Sequence, residues 1–220
     1  MPLFIVATPI GNLGDISPRA LDCLKTADVV LCEDTRQTVK LLNHYEIKVK
    51  TLSYHQYSTA SRVNEIRELL ENNQKVALVS DAGTPGISDP GNRLIADLVA
   101  QDPDLIVSPL PGASAMISAL SVSGFPTDTF LFLGFPPHKK GRQTFFREVA
   151  TNEVTTVFYE SNHRIVKCLK ELSEVLSPKR QMMVARELTK QFESIYRGTI
   201  SEIIDMPMPA KGEFVVVISK

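Results

Sequence analysis

The segment Val76–Ala100, with the sequence VALVSDAGTPGISDPGNRLIADLVA, predicts the fold of this chain. It begins with a short apolar run, Val76–Val79, and ends in a helical pattern, Asn92–Ala100. A twelve-residue loop, 80–91, joins them, whereas βα connections usually span roughly two to six residues. Long ordered loops at the carboxyl edge of a sheet commonly bind ligands, so we interpret this one as a binding loop; a structural Ω-loop is the alternative. No lysine follows its glycines, which disfavours a phosphate-binding P-loop.

The same order of strand, loop and helix recurs along the chain. The predicted strands are Leu3–Ala7, Val29–Leu31, Val76–Val79, Leu105–Val107, Phe130–Leu133, Thr156–Tyr159, Met182–Ala185 and Phe214–Ile218. The predicted helices are Ser17–Ala27, Thr35–His44, Ala60–Asn72, Asn92–Ala100, Ala113–Ser121, Gln143–Ala150, Arg164–Leu176 and Thr199–Ile204. Strands rich in Val, Ile and Leu that alternate with helices predict the α/β class, with sheets covered on both faces. A Gly/Pro/Asp-rich segment, 123–128, predicts a boundary between two α/β domains, 1–123 and 124–220.

Composition excludes several classes of protein. The chain has 220 residues, with 24 Lys and Arg against 25 Asp and Glu, so it is no globally basic nucleic-acid coat. It contains no apolar run of eighteen residues, and its apolar start lacks a basic flank, so we expect neither a membrane span nor a signal peptide. Its three cysteines are widely spaced, and its four histidines lack metal-ligand spacing. We therefore expect a cytoplasmic protein without disulfides or metal.

Two further loops carry small residues after predicted strands. The loop 7–15 contains two glycines but lacks the GxGxxG fingerprint, and a tight turn is its alternative interpretation. The loop 109–115 leads into a helix, where backbone N–H groups are available. Together with loop 80–91, these loops are expected to converge at one edge of the first sheet. Their polar groups are mainly backbone, Ser and Thr, which suits a neutral or zwitterionic cofactor better than a polyanion.

Six motifs follow one another along the chain: Thr8–Leu13, Cys32–Arg36, Ser80–Gly91, Pro111–Ala115, Phe158–Ser161 and Arg186–Lys190. Together they resemble the ribosomal RNA branch of the tetrapyrrole methylase superfamily. The resemblance covers essentially the whole chain. It implies two α/β domains with S-adenosylmethionine in the cleft between them. It also implies methylation of the ribose 2′-hydroxyl of a cytidine in the decoding region of 16S ribosomal RNA in the small subunit, and a homodimer.

The resemblance also implies which residues bind the cofactor. They are Pro9, Ile10, Asp81, Ala82, Gly83, Thr84, Ile87, Ser114, Ala115, Tyr159, Glu160, Ala185, Arg186, Gly212 and Glu213. Asn12 and Thr84 stand where the tetrapyrrole enzymes carry Asp, which argues against a porphyrin substrate. Family members often continue past the last strand into a small helical extension, whereas this sequence ends at Lys220.

Charged motifs supply the candidates for the reaction itself. Glu33, Asp34 and Lys190 are the predicted catalytic residues, because a ribose hydroxyl is a weak acid and needs a base or a cation near its oxygen. Arg36 is predicted to bind RNA, although Asp34 and Arg36 could equally cap the next helix and pair with each other.

The densest basic stretch, 138–142, predicts phosphate contacts through Lys139, Lys140 and Arg142, and a solvated loop is its alternative. For the whole chain, the rival functions are a tetrapyrrole or protein methylase of the same superfamily and a non-catalytic ribosome-binding module.

Overall fold

The computed structural model describes residues 2–220, which form two compact units. The first unit extends to Ser114 and the second spans Ala115–Lys220. Each contains one five-stranded sheet covered by helices, so the predicted α/β class with two α/β domains is confirmed. In the part of the chain that is described, no helix has both the length and the apolar character needed to cross a membrane.

The sheet of the first unit is entirely parallel, with the order β3-β2-β4-β1-β5. Its strands are β1 (Leu3–Val6), β2 (Val29–Cys32), β3 (Lys50–Ser53), β4 (Val76–Leu78) and β5 (Val107–Leu110). Its helices are α1 (Pro18–Thr26), α2 (Thr35–His44), α3 (Ala60–Glu71) and α4 (Asn92–Gln101), with a short 3₁₀ turn at Leu13–Asp15. Because all strands run in one direction, their carboxyl ends meet at a single edge.

Alternating strand residues fill the two faces of this sheet. Leu3 and Ile5 pack with Ile66 of α3 and Leu94 of α4 on one face. Val6 packs on the other face with buried residues of α1 and α2. Both faces are therefore buried, which is why the central strands consist of continuous apolar residues.

The second unit mixes strand directions, with the order β6-β7-β10-β8-β9. Its strands are β6 (Phe130–Phe132), β7 (Thr155–Ser161), β8 (Gln181–Arg186), β9 (Ser194–Thr199) and β10 (Glu213–Ile218). Its helices are α5 (Ala115–Ser123), α6 (Arg142–Thr151), α7 (Ile165–Ser173) and α8 (Ile200–Asp205). Only β6 and β7 pair in parallel; the other pairs are antiparallel.

Helix α5 packs in the second unit, although the sequence analysis placed it at the end of the first domain. Its buried Ala119 and Leu120 lie in one apolar cluster with Val157 of β7 and Val217 of β10. The loop 124–129 is therefore a connection inside this unit.

Three strands differ from the prediction. Strands β3 and β9 were not predicted, and β5 begins at Val107, where the predicted strand ends. All three are edge strands, where polar residues and Pro are common. Pro109 is tolerated within β5 because an edge strand can do without one N–H donor.

Candidate active site

Hydrogen bonds join the loops after β1 and β4 at the carboxyl edge of the first sheet. Thr8 N donates to the Gly83 carbonyl over 2.8 Å, and Gly83 N donates to the Thr8 carbonyl over 3.0 Å. The Thr8 hydroxyl donates to the carbonyl of Ser80 over 3.2 Å, and both side chains are buried. Segments 72 positions apart in the sequence are therefore held together.

The loop after β5 meets the same two loops. The Thr84 hydroxyl donates to the carbonyl of Ala113 over 3.2 Å. A Cβ at Gly112 would lie only 2.9 Å from the Cβ of Ala7, so this close approach requires glycine. The predicted convergence of the three loops at one sheet edge is confirmed.

Cationic side chains are absent from these three loops. The segments 7–15, 80–91 and 109–115 contain neither Lys nor Arg, and the Asp81 side chain is exposed. Gly83 has a φ of +80° and lies against Ile10, where an added Cβ would come 3.4 Å from the Ile10 Cγ2. A positively charged ligand would meet no repulsion from cationic side chains of these three loops. The predicted cofactor residues of the first unit lie on these connected loops: Pro9, Ile10, Asp81, Ala82, Gly83, Thr84, Ile87 and Ser114.

Four carboxylates gather beside this loop cluster. The backbone N–H of Asp34 donates to the Asp81 carboxylate over 3.3 Å. Partial burial raises the pKa of Glu33, and the negative charge of Asp81 adds to the rise. Burial also raises the pKa of Asp89 to about 6, with the charges of Glu33 and Asp81 adding and a hydrogen bond from Ser80 opposing. Such a pKa lies near the range in which a carboxylate can accept a proton at neutral pH.

Asp34 is occupied by structural contacts. Its carboxylate accepts from the backbone N–H of Arg36 over 2.8 Å and so caps α2. It also accepts from the Arg36 guanidinium, from Nε over 3.0 Å and from Nη2 over 2.7 Å. Hydrogen bonds from Arg36 lower the pKa of Asp34 to about 2, so Asp34 is a poor base. The capping alternative thus describes this pair, while the Arg36 side chain is still 86% exposed and reachable.

In the second unit, Lys190 lies between two carboxylates. Its Nζ donates to Glu187 over 3.0 Å and to Glu213 over 2.8 Å. Burial lowers the pKa of Lys190, but the hydrogen bonds and charges of Glu213 and Glu187 outweigh it, and the net shift is upward. Lys190 is therefore a stable cation and is unsuited to remove a proton.

Buried Arg186 fixes the two loops around Lys190. Its Nε donates to the Lys211 carbonyl over 2.7 Å and its Nη1 to the Phe192 carbonyl over 2.9 Å. Gly212 packs against Glu187, where a Cβ would come 2.7 Å from Glu187 Cγ. The predicted cofactor residues Ala185, Arg186, Gly212 and Glu213 thus lie close to the Lys190 loop. The Arg186 guanidinium is used in hydrogen bonds to backbone carbonyls.

Arg142 does not lie on the surface as the RNA-binding prediction requires. Its side chain is 4% exposed, and it donates to Glu171 over 2.7 Å and to Glu160 over 3.1 Å. Glu160 also pairs with Arg164 over 2.9 Å. Helix α6 begins at Arg142 and turns its guanidinium inward, which adjacent charges in a sequence do not reveal. The predicted phosphate contact of Arg142 is therefore contradicted by its burial, and the Glu160 carboxylate is paired within the protein.

Lys139 and Lys140 are exposed, as their predicted role requires. The loop that carries them also carries Phe135, which is 52% exposed. The Phe135 ring packs on Tyr159, a predicted cofactor residue, with ring centres 5.4 Å apart.

Sequence reasoning missed Asp89, Arg164 and Phe135. Only the long loop 80–91 pointed to Asp89, and no local pattern pointed to the other two. Within residues 2–220, no group of three or more His, Cys, Asp or Glu side chains has the arrangement of a metal site.

Comparison with known proteins identifies the family. The family model described as Tetrapyrrole (Corrin/Porphyrin) Methylases matches residues 2–204. Ribosomal RNA small subunit methyltransferase I of Synechocystis sp. is 46% identical, over 99% of this chain and 78% of that protein. The protein of the same name from Thermotoga maritima is 42% identical, over 99% of this chain and 97% of its own length.

Solved structures agree on the fold. The crystal structure of the methyltransferase CobJ has a TM-score of 0.72 at 18% identity and covers 100% of this chain and 94% of its own. Uroporphyrin-III-C-methyltransferase from Thermus thermophilus has a TM-score of 0.63 at 16% identity, with coverage of 100% and 94%. The chain therefore belongs to the tetrapyrrole methylase family, in the branch whose members carry the name ribosomal RNA small subunit methyltransferase I.

Proposed function

We propose that this methyltransferase transfers the methyl group of S-adenosylmethionine to the ribose 2′-hydroxyl of a cytidine in the decoding region of 16S ribosomal RNA. The observation that carries the proposal is the joined set of cation-free loops with a carboxylate cluster beside it. The names of the relatives support ribosomal RNA as the substrate. We further propose that it acts as a homodimer in the cytoplasm, where small ribosomal subunits are assembled.

In this proposal, the first unit holds the cofactor through the loops after β1, β4 and β5. The exposed residues Asp81 and Ala82 lie on the connected loop surface that would receive it. The cofactor supplies an electrophilic methyl group, so the protein mainly has to align donor and acceptor. We propose that Ala115, Tyr159, Ala185 and Gly212 of the second unit add contacts to the same cofactor.

Proton removal is assigned to Glu33. Its carboxylate has a raised pKa and, unlike that of Asp34, is not held in a bidentate pair with a neighbouring arginine. A base with a pKa closer to neutrality takes the hydroxyl proton more readily as the methyl group is transferred. Lys190 and Arg36 are assigned to the phosphate or the acceptor oxygen, because both are permanent cations. Lys139 and Lys140 are proposed to bind further RNA phosphates.

The test is transfer of labelled methyl groups to small ribosomal subunits that lack this modification. A 2′-O-methylated ribose leaves a dinucleotide resistant to alkaline hydrolysis, and mass mapping then locates the cytidine. Label on a base, or transfer to a porphyrin and not to RNA, would contradict the proposal. A protein that fails to bind S-adenosylhomocysteine in calorimetry would be a binding module and not an enzyme.

Two variants test the assigned roles. Glu33→Gln is expected to lower the single-turnover rate about 100-fold or more, as loss of a general base does, with little change in cofactor affinity. Lys190→Ala is expected to lower the rate in the same way. Glu68→Gln and Lys25→Ala remove the same charges from exposed helical positions and should leave the rate unchanged. Wild-type single-turnover rates in both Glu33→Gln and Lys190→Ala would refute the assignment.

A further inference from the structure

Two arginine side chains hold the loop between β6 and α6, residues 133–141, in place. Arg164 Nη1 donates to the Pro136 carbonyl over 2.9 Å, and Arg142 Nη1 donates to the Pro137 carbonyl over 3.3 Å. Both arginines are anchored by Glu160, whose side chain is fully buried. Two consecutive prolines restrict the backbone further, because each fixes its own φ. The loop is therefore shaped before any ligand arrives.

This loop carries a solvent-exposed aromatic ring, that of Phe135. Phe135 is 52% exposed, although a phenylalanine normally buries most of its surface. One side of its ring is supported by Tyr159, at a centre-to-centre distance of 5.4 Å, and Tyr159 rests on Phe132 at 5.1 Å. Supported aromatic rings of this kind provide stacking surfaces for unpaired bases.

The charge of the loop is positive and is not cancelled nearby. Lys139 and Lys140 are exposed, and the segment 133–141 contains no Asp or Glu. The two carboxylates beneath, Glu160 and Glu171, already pair with arginine. The chain as a whole has a net charge of −1, so this loop is a local cationic feature. A flat exposed ring beside two lysines complements a single nucleic-acid strand, which offers bases and phosphates together.

We infer that residues 135–140 form a preorganised platform for an unpaired RNA segment, in which Phe135 stacks on one base and Lys139 and Lys140 bind the adjoining phosphates. The inference rests on the proposed function for the identity of the nucleic acid. It adds that the substrate is recognised as a single strand, with a base stacked one ring away from Tyr159. A duplex cannot use the ring, because its bases are already stacked on one another.

The experiment uses the full chain and a ten-nucleotide single-stranded RNA that contains 2-aminopurine, whose fluorescence falls on stacking. We expect quenching by the unchanged protein, and a loss of affinity of about 5-fold or more for Phe135→Leu, together with loss of quenching. Phe135→Tyr keeps the ring and should keep both signals. A duplex of the same sequence should bind equally to the parent and to Phe135→Leu.

Salt dependence tests the two lysines. Lys139→Ala combined with Lys140→Ala should lower the slope of log K against log salt by about 1.4, since each phosphate contact on a single strand contributes about 0.7. The matched control, Lys48→Ala with Lys50→Ala, removes two exposed lysines of the first unit and should leave the slope unchanged.

The outcomes separate this inference from the proposed function. If the parent methylates subunits but does not bind the single strand at low salt, or if Phe135→Leu quenches like the parent, the platform is refuted while the function stands. If ring-dependent binding is found without methylation of RNA, the platform stands and the function falls. Equal weakening of single-strand and duplex binding by Phe135→Leu would also refute base stacking.

Discussion

Replacement of Glu160 by glutamine tests the buried charge network in the second unit. The Glu160 side chain is fully buried and contacts Arg142 over 3.1 Å and Arg164 over 2.9 Å. Its Oε1 also accepts from the backbone N–H of Ser161 over 2.8 Å. Glutamine has the same shape but is uncharged, and its NH₂ group would face an arginine donor. Glu160→Gln therefore removes the negative charge that compensates the buried guanidinium groups of Arg142 and Arg164.

The expected cost follows from these contacts. Removal of one partner from a buried ion pair typically costs 3–5 kcal/mol, because the remaining charge stays desolvated. Arg142 keeps Glu171 at 2.7 Å, and the side chain of Arg164 is 16% exposed, so part of the charge stays compensated. We therefore expect the lower end, about 3 kcal/mol, which is about a 150-fold increase in the opening equilibrium.

Amide hydrogen exchange followed by mass spectrometry is the suitable assay. A chain with two compact units need not unfold in one step, so a single unfolding free energy would mix them. Exchange in β7 and β10 should accelerate by the expected factor, while β1 and β4 of the first unit stay protected. The matched control is Glu65→Gln, whose partner Arg62 is 32% exposed, and its expected cost is below about 0.5 kcal/mol. A cost below about 1 kcal/mol for Glu160→Gln would show that Arg142 and Arg164 do not depend on the charge of Glu160.

Two further predictions concern the first unit. Because the pKa of Asp89 is raised from 3.8 to about 6, the folded chain keeps a proton that the unfolded chain releases, so stability should fall as pH rises through this window. Asp89→Asn should abolish that fall, and Glu33→Gln should lower the pKa of Asp89 in carboxyl ¹³C NMR titrations; an unshifted titration would contradict the contact. Gly112→Ala places a Cβ 2.9 Å from that of Ala7 and should weaken S-adenosylhomocysteine binding in calorimetry several-fold, since overpacking typically costs about 1–3 kcal/mol. Gly124→Ala, with open space but a φ of +77°, should lose stability and keep its affinity, and an equal loss of affinity in both variants would exclude a local effect.

The buried strands of both sheets were predictable because their patterns are local. Val76–Leu78 and Phe214–Ile218 are apolar runs bounded by polar turns, and the structure places β4 and β10 there. The edge strands β3 and β9 were missed because many of their residues are polar and none is fully buried, as is common at the edge of a sheet. Helix α5 was assigned to the first domain because the Gly/Pro segment after it looks like a linker; its packing partners lie later in the chain.

The candidate site also has a part that was predictable from the sequence and a part that was not. Glycines such as Gly83 and Gly112 indicated the binding loops in the sequence, because the backbones of these loops approach one another too closely for a side chain. The roles of the charged residues were harder to predict from the sequence. The basic residues of the stretch 138–142 are neighbours of similar charge, and nothing local distinguishes an exposed one from a buried one. Lys139 and Lys140 remain in solvent, whereas Arg142 enters the core to meet a carboxylate 18 positions away.

The α/β class, the positions of the central strands and the loops at their carboxyl ends follow from the order of apolar runs and small residues along the chain. Which charges are buried and paired is visible only in the folded chain. That Asp34 caps α2, that Arg142 binds Glu160, and that Phe135 stays uncovered are matters of distance in space. The physical reason is that desolvation and pairing depend on contacts between segments distant in the chain, whereas strand and turn formation depends mainly on neighbours.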